Sequence, residues 1–151
     1  EARERAFTPL GRRIGNLEDI REQLYATMWD DVGILRTADG LAKARHTLNN
    51  LATTIQFMGV DDSDRRYNLT WMDRLNLENL ILVSRAICVA AAARNDSRGA
   101  HFREDHPGTS DLATSRYTVL HVAENDRIEV DMAPVHFTRV EPGTSLLTAA
   151  E

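Results

Sequence analysis

Apolar residues recur at steps of three and four in three stretches of the chain, and alternate with polar ones in a fourth. The first stretch, Leu17, Ile20, Leu24, Met28, Val32 and Leu35, draws one apolar face along a helix. Asn16 precedes it as an N-cap, and Glu18 and Asp19 place negative charge in the first turn, where the helix dipole favours it. Thr37-Ala38-Asp39-Gly40 breaks the pattern and offers Thr37 or Asp39 as the next cap. Leu41, Ala44, Leu48, Leu51, Ile55 and Met58 then form the seam of a helix packed almost antiparallel against its neighbours, with His46 off the seam and Gly59 as its stop. Thr70 and Asp73 read as a capping box opening a third helix. Leu75, Leu77, Leu80, Ile81, Val83, Ile87, Cys88 and Val89 cover more than one stripe of it, and Ala90 to Ala93 continue the run. A helix that is apolar over most of its circumference is sandwiched between other elements. Further on, 117–122 and 128–132 alternate and are rich in β-branched residues, which predicts a hairpin about the turn Glu124-Asn125-Asp126-Arg127. Pro134 limits 135–140 to an edge strand or an extended tail, Pro142-Gly143 ends the ordered chain, and 144–151 frays.

The expected fold is mainly α: a three-helix antiparallel, spectrin-repeat-like bundle followed by a small β-hairpin and an extended tail. Residues 1–15, with Arg3, Arg5, Arg12 and Arg13 among Pro9, Gly11 and Gly15, read as a linker or arm. The bundle with its turn occupies 16–108, and the hairpin and tail 109–151. A length of 151 residues suits one domain with a real core. The net charge of −5 argues against a nucleic-acid partner, whose phosphates call for a basic surface. No uninterrupted apolar run approaches the roughly 20 residues that span a bilayer, so direct membrane insertion is not expected. The single cysteine, Cys88, cannot form an internal disulfide, which fits a reducing compartment, and its apolar setting marks it as an inert core thiol. The opening Glu1-Ala2-Arg3-Glu4-Arg5 has neither an initiator Met nor an apolar leader and reads as a start inside a longer chain.

Candidate chemistry gathers between the end of the third helix and the hairpin. Gly99 stops the helical pattern and Pro107-Gly108 marks a turn; between them and their margins lie Arg98, His101, Arg103, Glu104, Asp105 and His106. So many ionisable groups are too costly to bury unpaired, so they face water, each other or a partner. The histidines are five apart across a turn, without cysteine, a poor arrangement for a metal. Asp30-Asp31 lacks a third ligand at helical spacing, and Asp61, Asp62 and Asp64 lack the offsets and glycine of a calcium loop.

The order Ser97-Arg98-Gly99-Ala100-His101, then Arg103, Asp105 and Pro107, carries more information than its charge. These eight positions in eleven residues resemble the C-terminal helical domain of the FAD-dependent succinate dehydrogenase, fumarate reductase and L-aspartate oxidase flavoprotein family. Met28-Trp29, Val32-Gly33-Ile34 and Arg36 echo it upstream, as does Leu77-Glu78-Asn79-Leu80. Asp96, His106 and Thr109-Ser110-Asp111-Leu112 depart from the family's usual residues and leave the subfamily open. The resemblance implies an oxidoreductase of the electron-transport type whose FAD, substrate groups and proton-delivering arginine lie in a preceding N-terminal part. This chain would then contribute no catalytic, cofactor-binding or metal-ligating residue. Ser97, Arg98, Gly99, His101, Arg103 and Asp105 would be docking residues facing the FAD and capping domains. The tail from Tyr117 onward is more similar to the succinate dehydrogenase and fumarate reductase side, which implies an iron–sulfur subunit as a further partner. It also implies a cytoplasmic location, peripheral on the inner face of a membrane through partner subunits. One cysteine cannot itself hold an iron–sulfur cluster. Without a G-x-G-x-x-G turn, the chain alone is expected to bind no FAD in the family's manner. A second reading stays open from the residues themselves: a free-standing helical protein–protein interaction domain whose charged turn binds a protein partner.

Overall fold

The computed structural model describes residues 2–13, 15–123, 127–140 and 142. Along the chain these form α1 (Ala2–Phe7), α2 (Leu17–Asp30), β1 (Leu35–Arg36), α3 (Ala38–Gln56), α4 (Leu69–Ala93), β2 (Phe102–Arg103), a single 3-10 turn (Leu112–Thr114), β3 (Arg116–Val122) and β4 (Ile128–Pro134). The architecture is the mainly helical bundle with a small antiparallel hairpin that the sequence predicts.

The apolar seams meet in one core. Leu24 of α2, Leu41, Leu48 and Ile55 of α3, and Leu77 and Ile81 of α4 are all fully buried in it. Asn16 caps α2 by accepting from the Glu18 amide, and Thr37 caps α3 by accepting from Gly40 N. α2 stops earlier than its apolar spacing suggests. It ends at Asp30, so Val32 reaches the core from beyond the helix and Leu35 leaves it as an exposed member of β1. For α4 the cap is Asn68, two residues ahead of the expected Thr70: Asn68 Oδ1 accepts from Trp71 N at 2.9 Å. The same amide donates to Asp62 O and Asp64 O, so one side chain both starts the helix and folds the preceding loop. By length and a mean hydropathy of 1.5, α4 could cross a membrane. Here it is the core helix, carrying Arg74 and Glu78 inside the bundle.

Gly99 does not end α4, which stops at Ala93; its φ of +58° serves a tight turn farther on. Phe102 and Arg103 of β2 lie parallel to Leu35 and Arg36 of β1, a pairing too short to show any periodicity in the sequence. β3 and β4 pair antiparallel from Arg116 opposite Pro134 to Val122 opposite Ile128, and the hairpin rests on α4. Residues 135–140 form no strand. Of the expected hairpin turn only Arg127 is described, and the expected fraying tail at 144–151 lies outside the described residues.

The first residues differ from a linker. Phe7 stacks on Trp71 at 5.4 Å between ring centroids, and Trp71 Nε1 donates to Ala6 O at 2.8 Å. Val60 N donates to Pro9 O and Gly59 N to Arg13 O, which straps this segment across the end of α3. A Cβ on Gly59 would stand 2.3 Å from Arg12 Cβ, so only glycine permits the crossing. Proline and glycine here serve a close approach rather than freedom.

Leu48 lies at the centre of the seam, wholly buried. Leu48→Ala should therefore cost roughly 2–5 kcal/mol in a denaturant or thermal melt, through lost burial and a residual cavity.

Candidate functional site

α4 ends without a basic residue in its last turn and with Arg94, in extended conformation, as its C-cap. Its final carbonyls therefore need donors from elsewhere. Arg103 supplies them: Nη1 donates to Arg94 O at 2.8 Å and to Ala91 O at 3.3 Å. Its Nε and Nη2 grip Asp105 in a bidentate pair at 2.8 and 2.7 Å. Asp105 Oδ2 in turn accepts from Ala38 N, the first residue of α3, at 3.1 Å. A cation thus sits at the negative end of α4 and an anion at the positive end of α3, each favoured by its helix dipole. The hydrogen bonds from Arg103 hold the Asp105 carboxyl well below the usual carboxylate range, and Asp105 in return raises the Arg103 guanidinium.

Ser97 ties this pair to the loop. Its Oγ accepts from Arg103 N at 2.8 Å and donates to His106 O at 2.8 Å. Ser97 N reaches Gly108 O, and Thr109 Oγ1 donates to Ser97 O, so the loop closes on one buried serine. Arg98 and His101 exchange backbone hydrogen bonds across the tight turn, where Gly99 supplies the positive φ. A Cβ at Gly99 would meet nothing within 4 Å, so conformation rather than space selects glycine.

His101 points back toward β1. Arg36 donates its Nε to Val32 O and places Nη1 2.6 Å from His101 Nδ1. A guanidinium only donates, so Nδ1 is the acceptor and the imidazole proton resides on Nε2. That Nε2 is buried and has no partner among the described residues. Burial, then the charges of Arg36 and Arg94, push the His101 pKa down, with Arg103 adding to the effect and Asp96 opposing it. Burial likewise lowers that of Arg36.

The cluster therefore divides. Ser97 and Arg103 are buried within this chain, while Asp105 and Arg98 keep about a third of their side chains exposed. Arg98 donates to Ser110 O and holds its Nε 4.0 Å from Asp96 Oδ2. Arg36, known from sequence only as an upstream echo, joins the cluster through the β1–β2 pairing. Arg94 and Asp96, neither of them among the expected docking residues, pair at 3.0 Å and occupy the helix exit.

A second buried network, also missed, closes the other helix. Arg74 Nη2 and Nε donate to Ile55 O and Met58 O at the end of α3, and Nη1 donates to Glu78 Oε2 at 2.6 Å. Gln56 and Arg5 satisfy the other oxygen of Glu78. Burial by itself would raise the Glu78 carboxyl; the hydrogen bonds from Gln56, Arg74 and Arg5 bring it below its ordinary value. Their one-turn spacing is ordinary helix sequence, and nothing in it marks the pair as internal. Cys88 is also internal, donating Sγ–H to Leu41 O, and burial pushes its thiol pKa up.

A flavin does not fit the described residues. The parallel strand pair β1–β2 is two residues long, a further parallel bridge joins only Leu10 and Val60, and neither leads into a glycine-rich turn that could cradle a pyrophosphate. No trio of His, Cys, Asp or Glu among them could hold a metal ion.

The model of the fumarate reductase flavoprotein C-terminal family matches residues 21–146. The chain belongs to that family. It is 31% identical over 140 residues to the fumarate reductase flavoprotein subunit of Mycobacterium tuberculosis, covering 93% of this chain and 24% of that one. It is 27% identical over 126 residues to the 8-methylmenaquinol:fumarate reductase flavoprotein subunit of Wolinella succinogenes, covering 83% and 21%. Among solved structures, an E. coli quinol fumarate reductase chain shares the fold at a TM-score of 0.85 and 22% identity, over 94% of this chain and 25% of that one. The chain thus spans about a quarter of the length of these family members.

The His101–Arg36 contact carries a sign that a titration can read. Burial and the neighbouring guanidinium charges lower the His101 pKa in the fold, so its contribution is complete well above about pH 6.5, where an unfolded histidine is also neutral. As pH falls below that value the unfolded chain takes up the proton first, and stability declines. Measured as melting temperature against pH, His101→Gln should flatten part of the decline as pH falls below about 6.5, relative to the parent sequence.

Proposed function

We propose that this chain is the C-terminal helical module of the flavoprotein subunit of a succinate dehydrogenase- or fumarate reductase-like enzyme. The observation that carries the proposal is the family match across 21–146, joined to a fold whose charged turn serves to lock helices together. On this reading FAD, the dicarboxylate substrate and the groups that move its proton belong to the remainder of the parent polypeptide. The flavin supplies the hydride chemistry when bound. This chain's residues supply a rigid brace: Ser97, Arg103 and Asp105 fix the α4 exit against α3. The turn of Arg98, Gly99 and His101 lies toward the FAD and capping domains, with the His101 ring turned inward to Arg36. An iron–sulfur subunit is the further partner, and attachment to the inner, cytoplasmic face of a membrane runs through partner subunits. The family match and the relatives' names as flavoprotein subunits support these assignments over a free-standing interaction domain, which no observation favours.

The test is to express the whole reading frame that contains this sequence and compare it with the 151-residue chain. The full product should be yellow and pass electrons between a dye and succinate or fumarate, while the 151-residue chain should fold colourless and inactive. A full product without flavin, or a flavin band retained by the shorter chain, would refute the reading.

A further inference from the structure

α4 meets its surroundings on three sides, and one of them is open. Leu77, Ile81 and Cys88 face the core, and the β3–β4 hairpin lies against a second side. The third side carries Met72, Leu80, Val83 and Ile87, exposed by 56, 42, 55 and 43%. With Asn76 they follow steps of four, four, three and four, which is a single stripe of the helix and holds no charge. α2 borders it. Arg21 donates to Asp73 of α4 at 2.7 Å, and the next residues along the same i+4 row are Tyr25 and Trp29, exposed by 55 and 84%. Two aromatic rings and four aliphatic or thioether side chains therefore stand in water on one flank of the bundle. Folded chains rarely leave such an apolar patch uncovered, and aromatic anchors beside aliphatic residues are the composition of interface centres.

We propose that this α2–α4 flank is the surface onto which the flavin-binding part of the parent polypeptide packs; the proposal rests on the functional reading above. The occupant follows from two facts. The chain spans about a quarter of its relatives' length, yet superposes over 94% of itself on a solved chain of the family fold, so a much larger body adjoins this domain in such proteins. The α4 stripe is also uncharged, unlike a surface that recruits a separate partner by electrostatic steering. A tethered domain needs no steering, since the linkage itself supplies a high effective concentration. The polar turn at 97–105 spends most of its groups on contacts inside this chain, so the apolar flank is the principal contact and the turn its margin.

Hydroxyl-radical footprinting reads this directly, because Trp, Tyr and Met are readily oxidised side chains. Trp29, Tyr25 and Met72 should be oxidised several-fold more slowly in the full-length parent than in the 151-residue chain. Val83→Glu should restore their oxidation in the parent while leaving the melt of the shorter chain unchanged, since Val83 is exposed there. Equal oxidation in both proteins would overturn the proposal. So would protection already present in the shorter chain and lost on dilution or with Val83→Glu, which would assign the flank to a second copy. A colourless parent in which Trp29 is nonetheless shielded would count against the functional reading and against a flavin-binding occupant, and would assign the flank to another part of the parent polypeptide.

Discussion

Two helix ends that cannot close themselves set the terms of this structure. Neither α3 nor α4 has a basic residue in its last turn, so each leaves carbonyls without an internal partner at a site covered by other elements. In both places a buried arginine from elsewhere in the sequence answers the need. Arg74 closes α3 and is balanced by Glu78; Arg103 closes α4 and is balanced by Asp105. The guanidinium suits the task because its planar fork donates to a carboxylate and to carbonyls at once, and it stays charged when water is removed. The balancing carboxylate is as necessary as the arginine, because an uncompensated buried cation would cost more than the open carbonyls. Asp105 does more than balance charge: by accepting from Ala38 N it joins the end of one helix to the beginning of another.

The helices were legible because burial imposes a period. Leu41, Ala44, Leu48, Leu51 and Ile55 face the core as their spacing requires, and Asn16 and Thr37 cap as their chemistry suggests. What stayed hidden has no period. The β1–β2 pairing is two residues long, so the link from Arg36 to His101 could not be read from any repeat. Thr70 looked like the cap of α4 because of Asp73, yet Asn68 can satisfy the helix and two loop carbonyls together, and Asp73 is engaged by Arg21. Proline, glycine and arginine in the first fifteen residues resembled a linker, and the anchor that packs them, Phe7 on Trp71, joins residues distant in sequence.

At the candidate site, the residue order at 97–107 pointed to the family, while the charges alone would have described a solvated turn. The structure shows how the same residues serve the fold: Ser97 and Arg103 face inward, and the outward members are fewer than their charge suggests. Division of labour follows. The polar residues of the turn make the bundle rigid, and the apolar flank of α2 and α4 remains for contact with a larger body. That arrangement suits a brace, which must be stiff by itself and adhesive on one side.

The claim that most of this rests on is that Arg103 works by its fork as well as its charge. Arg103→Lys keeps the cation but cannot reach Asp105 bidentately and the α4 carbonyls together, and unfolding of that variant measures the difference. The account predicts a loss of about 2–3 kcal/mol, the scale of forgone charge-assisted hydrogen bonds. An unfolding curve matching that of the unsubstituted chain would contradict it, and would show that the α4 exit is held by charge or packing alone.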